Sequence, residues 1–100
     1  MRPVMHGDVV AAARVLYGET EEARAGIIDR LITQARRADR YRKEMGQVHP
    51  FWGDGSLMAA SLAMDPPPEP RLADEDYCAC LAQVFEALIS RERSLHKSAA

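Results

Sequence analysis

A run of basic side chains is the first feature of this sequence that could bind a ligand. Five of the eight residues from 36 to 43 are Arg or Lys. On a helix Arg36, Arg40 and Lys43 fall on one line, because residues three and four apart share a face. Such a line can follow the phosphates of a nucleic acid, so these three are the predicted nucleic-acid-binding residues. The alternative is a solvated helix end whose positive charge complements the helix dipole.

The segment from 48 to 56, Val-His-Pro-Phe-Trp-Gly-Asp-Gly-Ser, is the second candidate for a binding site. It holds the single Trp of the chain and one of its two Phe. Aromatic side chains dominate protein interfaces, so Phe51, Trp52 and Asp54 are the predicted partner-binding residues. The alternative is that Phe51 and Trp52 fill the core between two helices, while the residues from 53 to 56 turn the chain and cap the next helix.

Catalytic and metal-binding groups are predicted to be absent. Ser56, His49 and Asp54 are the residue types of a hydrolytic triad, but a trio this close in sequence, without a source of oxyanion stabilisation, is not how such sites are built. Cys78 and Cys80 have no second pair of ligands nearby in the sequence. Two apart on a helix, they point to nearly opposite faces and cannot pair with each other. We therefore expect no catalytic residue, no metal site and no cofactor.

The length and composition of the chain exclude several classes of protein. A chain of 100 residues, 47% hydrophobic and 28% charged, is expected to form one globular domain, residues 1–100. A formal net charge of −2 argues against a surface devoted entirely to nucleic acid. The start of the sequence predicts no signal peptide, and no stretch approaches the ~20 apolar residues of a membrane span. Together with two cysteines that are expected to be reduced, the lack of a signal peptide or membrane span in the sequence predicts a cytoplasmic protein without a membrane partner.

Four helices and no strand are predicted to position these residues. The first covers residues 8–17, and the second is a long amphipathic helix of about 21–45, acidic at its start and basic at its end. A third covers 57–64, and a fourth covers about 75–93, after a proline-rich connector. Residues 94–100 are expected to form a flexible tail. The predicted class is therefore an all-α helical bundle.

Two of these helices carry apolar stripes that one small core is not expected to absorb. The stripe of the second helix is centred on Ile28, Leu31 and Ile32, and that of the fourth on Val84 and Leu88. Since a short chain covers its apolar surface poorly, we expect the protein to associate with itself through one of these stripes.

Two segments carry a resemblance to a known family. They are the residues from 49 to 58, His-Pro-Phe-Trp-Gly-Asp-Gly-Ser-Leu-Met, and the end of the long helix, Ala-Asp-Arg-Tyr-Arg at 38–42. In these segments the chain resembles the small terminase subunits encoded beside terminase and capsid genes in phage-like gene-transfer particles. The resemblance implies a helical, ring-forming, non-catalytic protein that brings DNA to the large terminase subunit. Family members usually carry an N-terminal DNA-binding domain, for which this chain has little room.

The expected function is therefore that of a non-catalytic, oligomeric assembly protein. It would bind a motor or other partner protein and, weakly and without sequence preference, DNA. The alternative is a cytoplasmic adaptor or regulator that binds protein alone, with the Phe51–Trp52 loop as its contact. DNA affinity separates the two hypotheses.

Overall fold

The computed structural model describes the backbone of residues 1–99 and the side chains of residues 1–96. Its helices are α1 His6–Tyr17, α2 Arg24–Met45, α3 Leu57–Leu62 and α4 Glu75–Ala99. A 3₁₀ turn, Glu21–Ala23, precedes α2, and no strand forms within residues 1–99. The all-α prediction of four helices is confirmed.

The long helix α2 begins later than the sequence predicted and ends where it predicted. Thr20 has the extended backbone of an N-cap, but its side chain makes no capping hydrogen bond, and the chain enters α2 through the 3₁₀ turn. At the other end Gly46 adopts a left-handed φ of 67°, and its N–H donates to the carbonyl of Arg42. A glycine suits that position because it has no Cβ to strain.

The last helix, α4, is longer than predicted. Its N-terminus is capped by Asp74, whose carboxylate accepts a hydrogen bond from the N–H of Tyr77 at 3.0 Å. The helix continues beyond Arg93 to Ala99, so the backbone of residues 94–99 is helical. The flexibility of the segment 94–100 remains a prediction, and Ala100 lies outside the described residues.

The core is built around α1, which packs against both α3 and α4 and also contacts α2. Its innermost large side chains come from all four helices; they are Leu16, Ile28, Leu31, Leu57, Tyr77 and Val84. None of the helices described in residues 1–99 is long and apolar enough to cross a membrane.

The apolar stripes predicted to form an oligomer interface lie inside this core. Ile28, Leu31, Ile32 and Val84 are buried, and Leu88 is partly buried against them. The choice of these residues as interface residues was therefore wrong, because α1 and α3 pack on the apolar face of α2, and α1 packs on that of α4. Self-association itself remains a prediction, and it needs a different surface.

Candidate functional site

The C-terminal half of α2 brings the predicted phosphate-binding residues together. Arg36, Arg40 and Lys43 line one cleft of about 430 Å³. Arg91 of α4 lines the same cleft, and the sequence did not indicate it because only the packing of α4 beside α2 brings it there. We call this surface, defined by Arg36, Arg40, Lys43 and Arg91, the basic cleft. Glu44 also borders it, so the cleft is not uniformly positive.

The cations of the basic cleft differ in how far their charge is neutralised. Lys43 Nζ lies 3.0 Å from Asp39 Oδ2. Arg36 and Arg40 are exposed, and neither has an ion-pair partner among the side chains of residues 1–96. Arg36 and Arg40 therefore carry the free positive charge, while Lys43 shares its charge with a carboxylate.

Asp39 is buried beneath the basic cleft, with 4% of its surface exposed. Besides Lys43, the amino nitrogen of Met1 lies 3.3 Å from Oδ2, and Arg42 donates to Oδ1 at 3.2 Å. These groups, Lys43 foremost, hold the pKa of Asp39 at about 2, although burial acts in the opposite direction. The single carboxylate of Asp39 thus faces three cations, so this cluster of charges stays net positive.

Gly55 allows the loop that follows α2 to lie directly against Asp39. Its φ is 95°, and a Cβ built there would lie 2.6 Å from both Cα and Cβ of Asp39. The loop can therefore lie this close to α2 only with glycine at that position. Gly53 has a similar role, since its φ is 81° and a Cβ there would lie 2.5 Å from the Cβ of Ala59 in α3.

His49 organises the exposed part of the loop. Its ring stacks on Trp52, with the centroids 4.6 Å apart and the planes at 3°, and it meets Tyr41 edge-on at 5.0 Å. Its Nδ1 accepts hydrogen bonds from the backbone N–H groups of Phe51 and Trp52, each at 3.1 Å. This one ring nitrogen therefore fixes the backbone of two successive residues of the loop.

Phe51 and Trp52 have different environments. Phe51 is 75% exposed, whereas Trp52 is half-buried against His49. Neither belongs to the core, so the interpretation that both fill the space between two helices was wrong; His49 and the two glycines hold the loop instead. Met45 and Val48 are also exposed, at 61% and 59%. We call Met45, Val48 and Phe51 the Phe51 surface.

The third predicted partner-binding residue, Asp54, is engaged within the loop. Its carboxylate accepts hydrogen bonds from the N–H of Ser56 at 3.0 Å and from Arg2 at 2.7 Å, and hydrogen bonding from Ser56 is the largest of the effects that lower its pKa. Ser56 in turn caps α3 by accepting from the N–H of Ala59 at 3.0 Å. Both residues therefore have structural roles, and a role of Asp54 in binding a partner stays a prediction.

The two cysteines that the sequence offered as metal ligands do not belong to a metal-binding cluster in the described part of the chain. No group of three or more His, Cys, Asp or Glu side chains there could hold a metal ion. Cys78 is an exposed free thiol and Cys80 a buried one, and burial raises the pKa of Cys80.

The fold and these surfaces define a small all-α domain with one basic cleft and one exposed aromatic loop. The chain belongs to the family described as "Domain of unknown function (DUF7742)", whose model matches residues 2–88. No significant match was found among curated proteins or among solved structures. The matched range contains both candidate surfaces apart from Arg91.

Proposed function

We propose that this protein is a non-catalytic, self-associating assembly protein that holds DNA weakly and without sequence preference. The observation that carries the proposal is the pair Arg36 and Arg40, one helical turn apart on the basic cleft and without an ion-pair partner among the described side chains. Two free guanidinium groups at the mouth of one cleft form a site for the oxygens of phosphate groups.

The spacing of the pair suits a phosphate backbone. Four residues of helix rise about 6 Å, whereas the phosphates of one DNA strand recur every ~3.4 Å along the duplex axis, so the two guanidinium groups can reach different phosphates. Arg36 and Arg40 also lie in the C-terminal half of α2, whereas helices that read base edges use their N-terminal residues. This placement supports contacts with phosphates and not with bases.

The charges of the cleft set the expected strength of binding. Arg36 and Arg40 alone imply a slope of about −2 in a plot of log affinity against log salt, and about −3 if Lys43 turns from Asp39 to a phosphate. A single copy with so few contacts binds DNA weakly. Several copies in one assembly would multiply the contacts, which is how a chain of net charge −2 could hold DNA.

The process we propose is the delivery of DNA to a packaging motor. This step rests on the resemblance of the segments at 38–42 and 49–58 to small terminase subunits. The partner would then be a large terminase subunit, which supplies the catalysis. The exposed Phe51 surface, next to the C-terminal end of α2, is the contact that we assign to that partner.

The DNA part is tested by fluorescence anisotropy of a random-sequence duplex at two salt concentrations. We compare the wild type with Arg36→Glu/Arg40→Glu and with the matched control Arg30→Glu/Arg71→Glu. The control changes two other exposed arginines by the same charge. The first variant should lose binding, and the control should keep most of it. Equal losses would show that net charge matters and the cleft does not.

A second candidate function is that of a protein-only adaptor or regulator. The 75% exposure of Phe51 favours it, because an exposed aromatic residue, within six residues of the exposed Met45 and Val48, serves a protein contact without any nucleic acid. Failure of the wild type to bind DNA at low salt would leave this function in place of the first. In that case Phe51→Ser should lose the proteins that co-purify with the tagged wild type, and Arg36→Glu/Arg40→Glu should keep them.

A further inference from the structure

A second cavity lies next to the basic cleft, between the facing sides of α2 and α4. It has a volume of about 370 Å³. Thr33 and Arg36 of α2 line it, and so do Ser90, Arg91 and Ser94 of α4. On each helix these residues fall within about one turn of one another, so they share the face that is turned toward the other helix. We call this space the α2–α4 cavity.

Short side chains on α4 leave the space open. Elsewhere the two helices bury larger apolar side chains, such as Leu31 and Val84. At the cavity α4 instead presents Ala87, Ser90 and Ser94. Side chains this short fill little of the distance between two neighbouring helices. The cavity therefore follows from the residue types on the facing sides.

Two guanidinium groups stand at the boundary between this cavity and the basic cleft, because Arg36 and Arg91 line both. Arg36 has no ion-pair partner among the side chains of residues 1–96. Nη1 of Arg91 lies 3.6 Å from Oε1 of Glu92, which is longer than a hydrogen bond. Nε of Arg91 is buried, and no described group accepts a hydrogen bond from it. A buried donor without an acceptor is costly, so an anion toward which this guanidinium group turns removes that cost.

The lining of the cavity changes along α2. Arg36 and Arg91 make one part positive. Asp29, seven residues before Arg36, adds a carboxylate about 10 Å away along the helix. Ile32 lies between the two on α2, and it contributes apolar surface together with Leu95 of α4. The cavity therefore suits a ligand that has an anionic group at one end and an apolar body.

We propose that the α2–α4 cavity binds a small phosphate monoester of mononucleotide type, with its phosphate group held between Arg36 and Arg91. A terminal phosphate has three free oxygens. The two guanidinium groups, with the hydroxyl groups of Thr33 and Ser90, supply donors for all three. A hydrogen-bond donor on the organic part, such as an amino group, pairs with Asp29.

The cavity suits a small ligand better than the DNA backbone. A backbone phosphate has only two free oxygens, and its strand would have to leave the cavity in both directions. The volume of about 370 Å³ lies within the range of small-molecule sites, which runs from ~300 to ~1,000 Å³. This site goes beyond the proposed function, and it does not depend on DNA binding.

The test is calorimetric titration of the full chain with adenosine monophosphate, and with adenosine as the matched ligand without phosphate. The wild type should bind the monophosphate and not the nucleoside. Arg91→Gln should weaken binding by about tenfold or more, because charge-assisted hydrogen bonds to the phosphate are lost. Arg93→Gln is the matched control, since Arg93 is an exposed arginine of α4 that does not line the cavity.

A second variant tests the cavity without changing any charge. Ser90→Leu places a larger side chain in the cavity, and it should abolish binding of adenosine monophosphate. Because Ser90 is exposed, the fold should tolerate this change, and thermal unfolding followed by circular dichroism checks that it does. Loss of binding by a variant that still unfolds as the wild type does locates the ligand between α2 and α4.

Competition identifies the source of the monoester. A short single strand with a terminal phosphate is compared with the same strand without it, each against bound adenosine monophosphate. Displacement by the phosphorylated strand alone assigns the cavity to the end of a nucleic acid. Displacement by neither strand assigns it to a free ligand. Either result supports a site for phosphate monoesters, and equal displacement by both strands would contradict it.

Three other outcomes would overturn the proposal. They are the absence of binding by the wild type at millimolar adenosine monophosphate, binding of adenosine as tight as that of the monophosphate, and binding that survives both Arg91→Gln and Ser90→Leu. The DNA site is decided separately through Arg40, which does not line the α2–α4 cavity. Arg40→Glu should weaken DNA binding and leave binding of adenosine monophosphate unchanged.

Discussion

The guanidinium group of Arg24 donates two parallel hydrogen bonds to the carboxylate of Asp76, at 2.7 and 2.9 Å. Its Nε donates to the carbonyl of Leu16 at 2.8 Å. This one buried side chain thus joins the end of α1, the start of α2 and the start of α4. Hydrogen bonding from Arg24 is the largest of the effects that lower the pKa of Asp76.

Arg24→Ala is expected to lower the free energy of unfolding by about 2 kcal/mol, because it removes a buried side chain whose hydrogen bonds join α1, α2 and α4. Urea denaturation followed by circular dichroism measures the change. Arg30→Ala, on the exposed side of the same helix, should change the stability by less than about 0.5 kcal/mol. Similar losses in both variants would show that Arg24 does not join the helices.

Asp8 holds the starts of two helices that lie far apart in the sequence. Its carboxylate accepts from the N–H of Met5 at 2.7 Å, at the start of α1, and from the N–H of Met58 at 2.8 Å, in the first turn of α3. Asp8→Ala should therefore cost about 2 kcal/mol in thermal or urea unfolding. Asp29→Ala, at an exposed carboxylate of α2, serves as the control and should be nearly neutral.

The stability of the protein is expected to fall at acid pH through Asp39. Its pKa in the folded protein, about 2, lies below the ordinary value of 3.8. Its contribution is therefore fully present above about pH 4 and lost as the pH falls from there toward 2. Asp39→Asn should be less stable at neutral pH and should lose less stability over that interval.

Urea unfolding at a series of pH values measures this difference. Part of the acid sensitivity should persist in Asp39→Asn, because the pKa values of Asp54, Asp74 and Asp76 are lowered as well. Asp29→Asn should retain the wild-type profile. An unchanged acid profile in Asp39→Asn would mean that the cations around Asp39 do not stabilise the folded state.

We expect substitutions at two neighbouring positions of the loop to change the stability by different amounts. Phe51→Ser should change the stability by less than about 0.5 kcal/mol, because the side chain is 75% exposed. His49→Ala should cost about 1 kcal/mol and shift the fluorescence of Trp52 toward that of a solvated indole, because the stacking and two hydrogen bonds are lost. The reverse ranking would restore the interpretation that Phe51 fills the core.

Much of the secondary structure follows from local sequence. Helix α2 is specified by local features of the sequence, which are its apolar spacing, its basic last turn and Gly46. These features depend on residues three or four apart, and this helix ends where the sequence predicts. The line of Arg36, Arg40 and Lys43 follows from the same helical geometry, so these residues share a face whatever lies beside them. The start of α2 was less predictable, because Thr20 forms no capping hydrogen bond and the chain enters through a 3₁₀ turn.

The sequence by itself thus determined the helices and which residues share a face, since both depend on contacts within a few residues. Only the tertiary structure decided which faces are covered. Val84 lies in the core and Phe85, its neighbour, in solvent because α1 packs on one side of α4 alone. Arg91 lines the basic cleft and Arg24 is buried against Asp76 for the same reason. Burial and ion pairing depend on the helix that lies opposite, and helical periodicity carries no information about that neighbour.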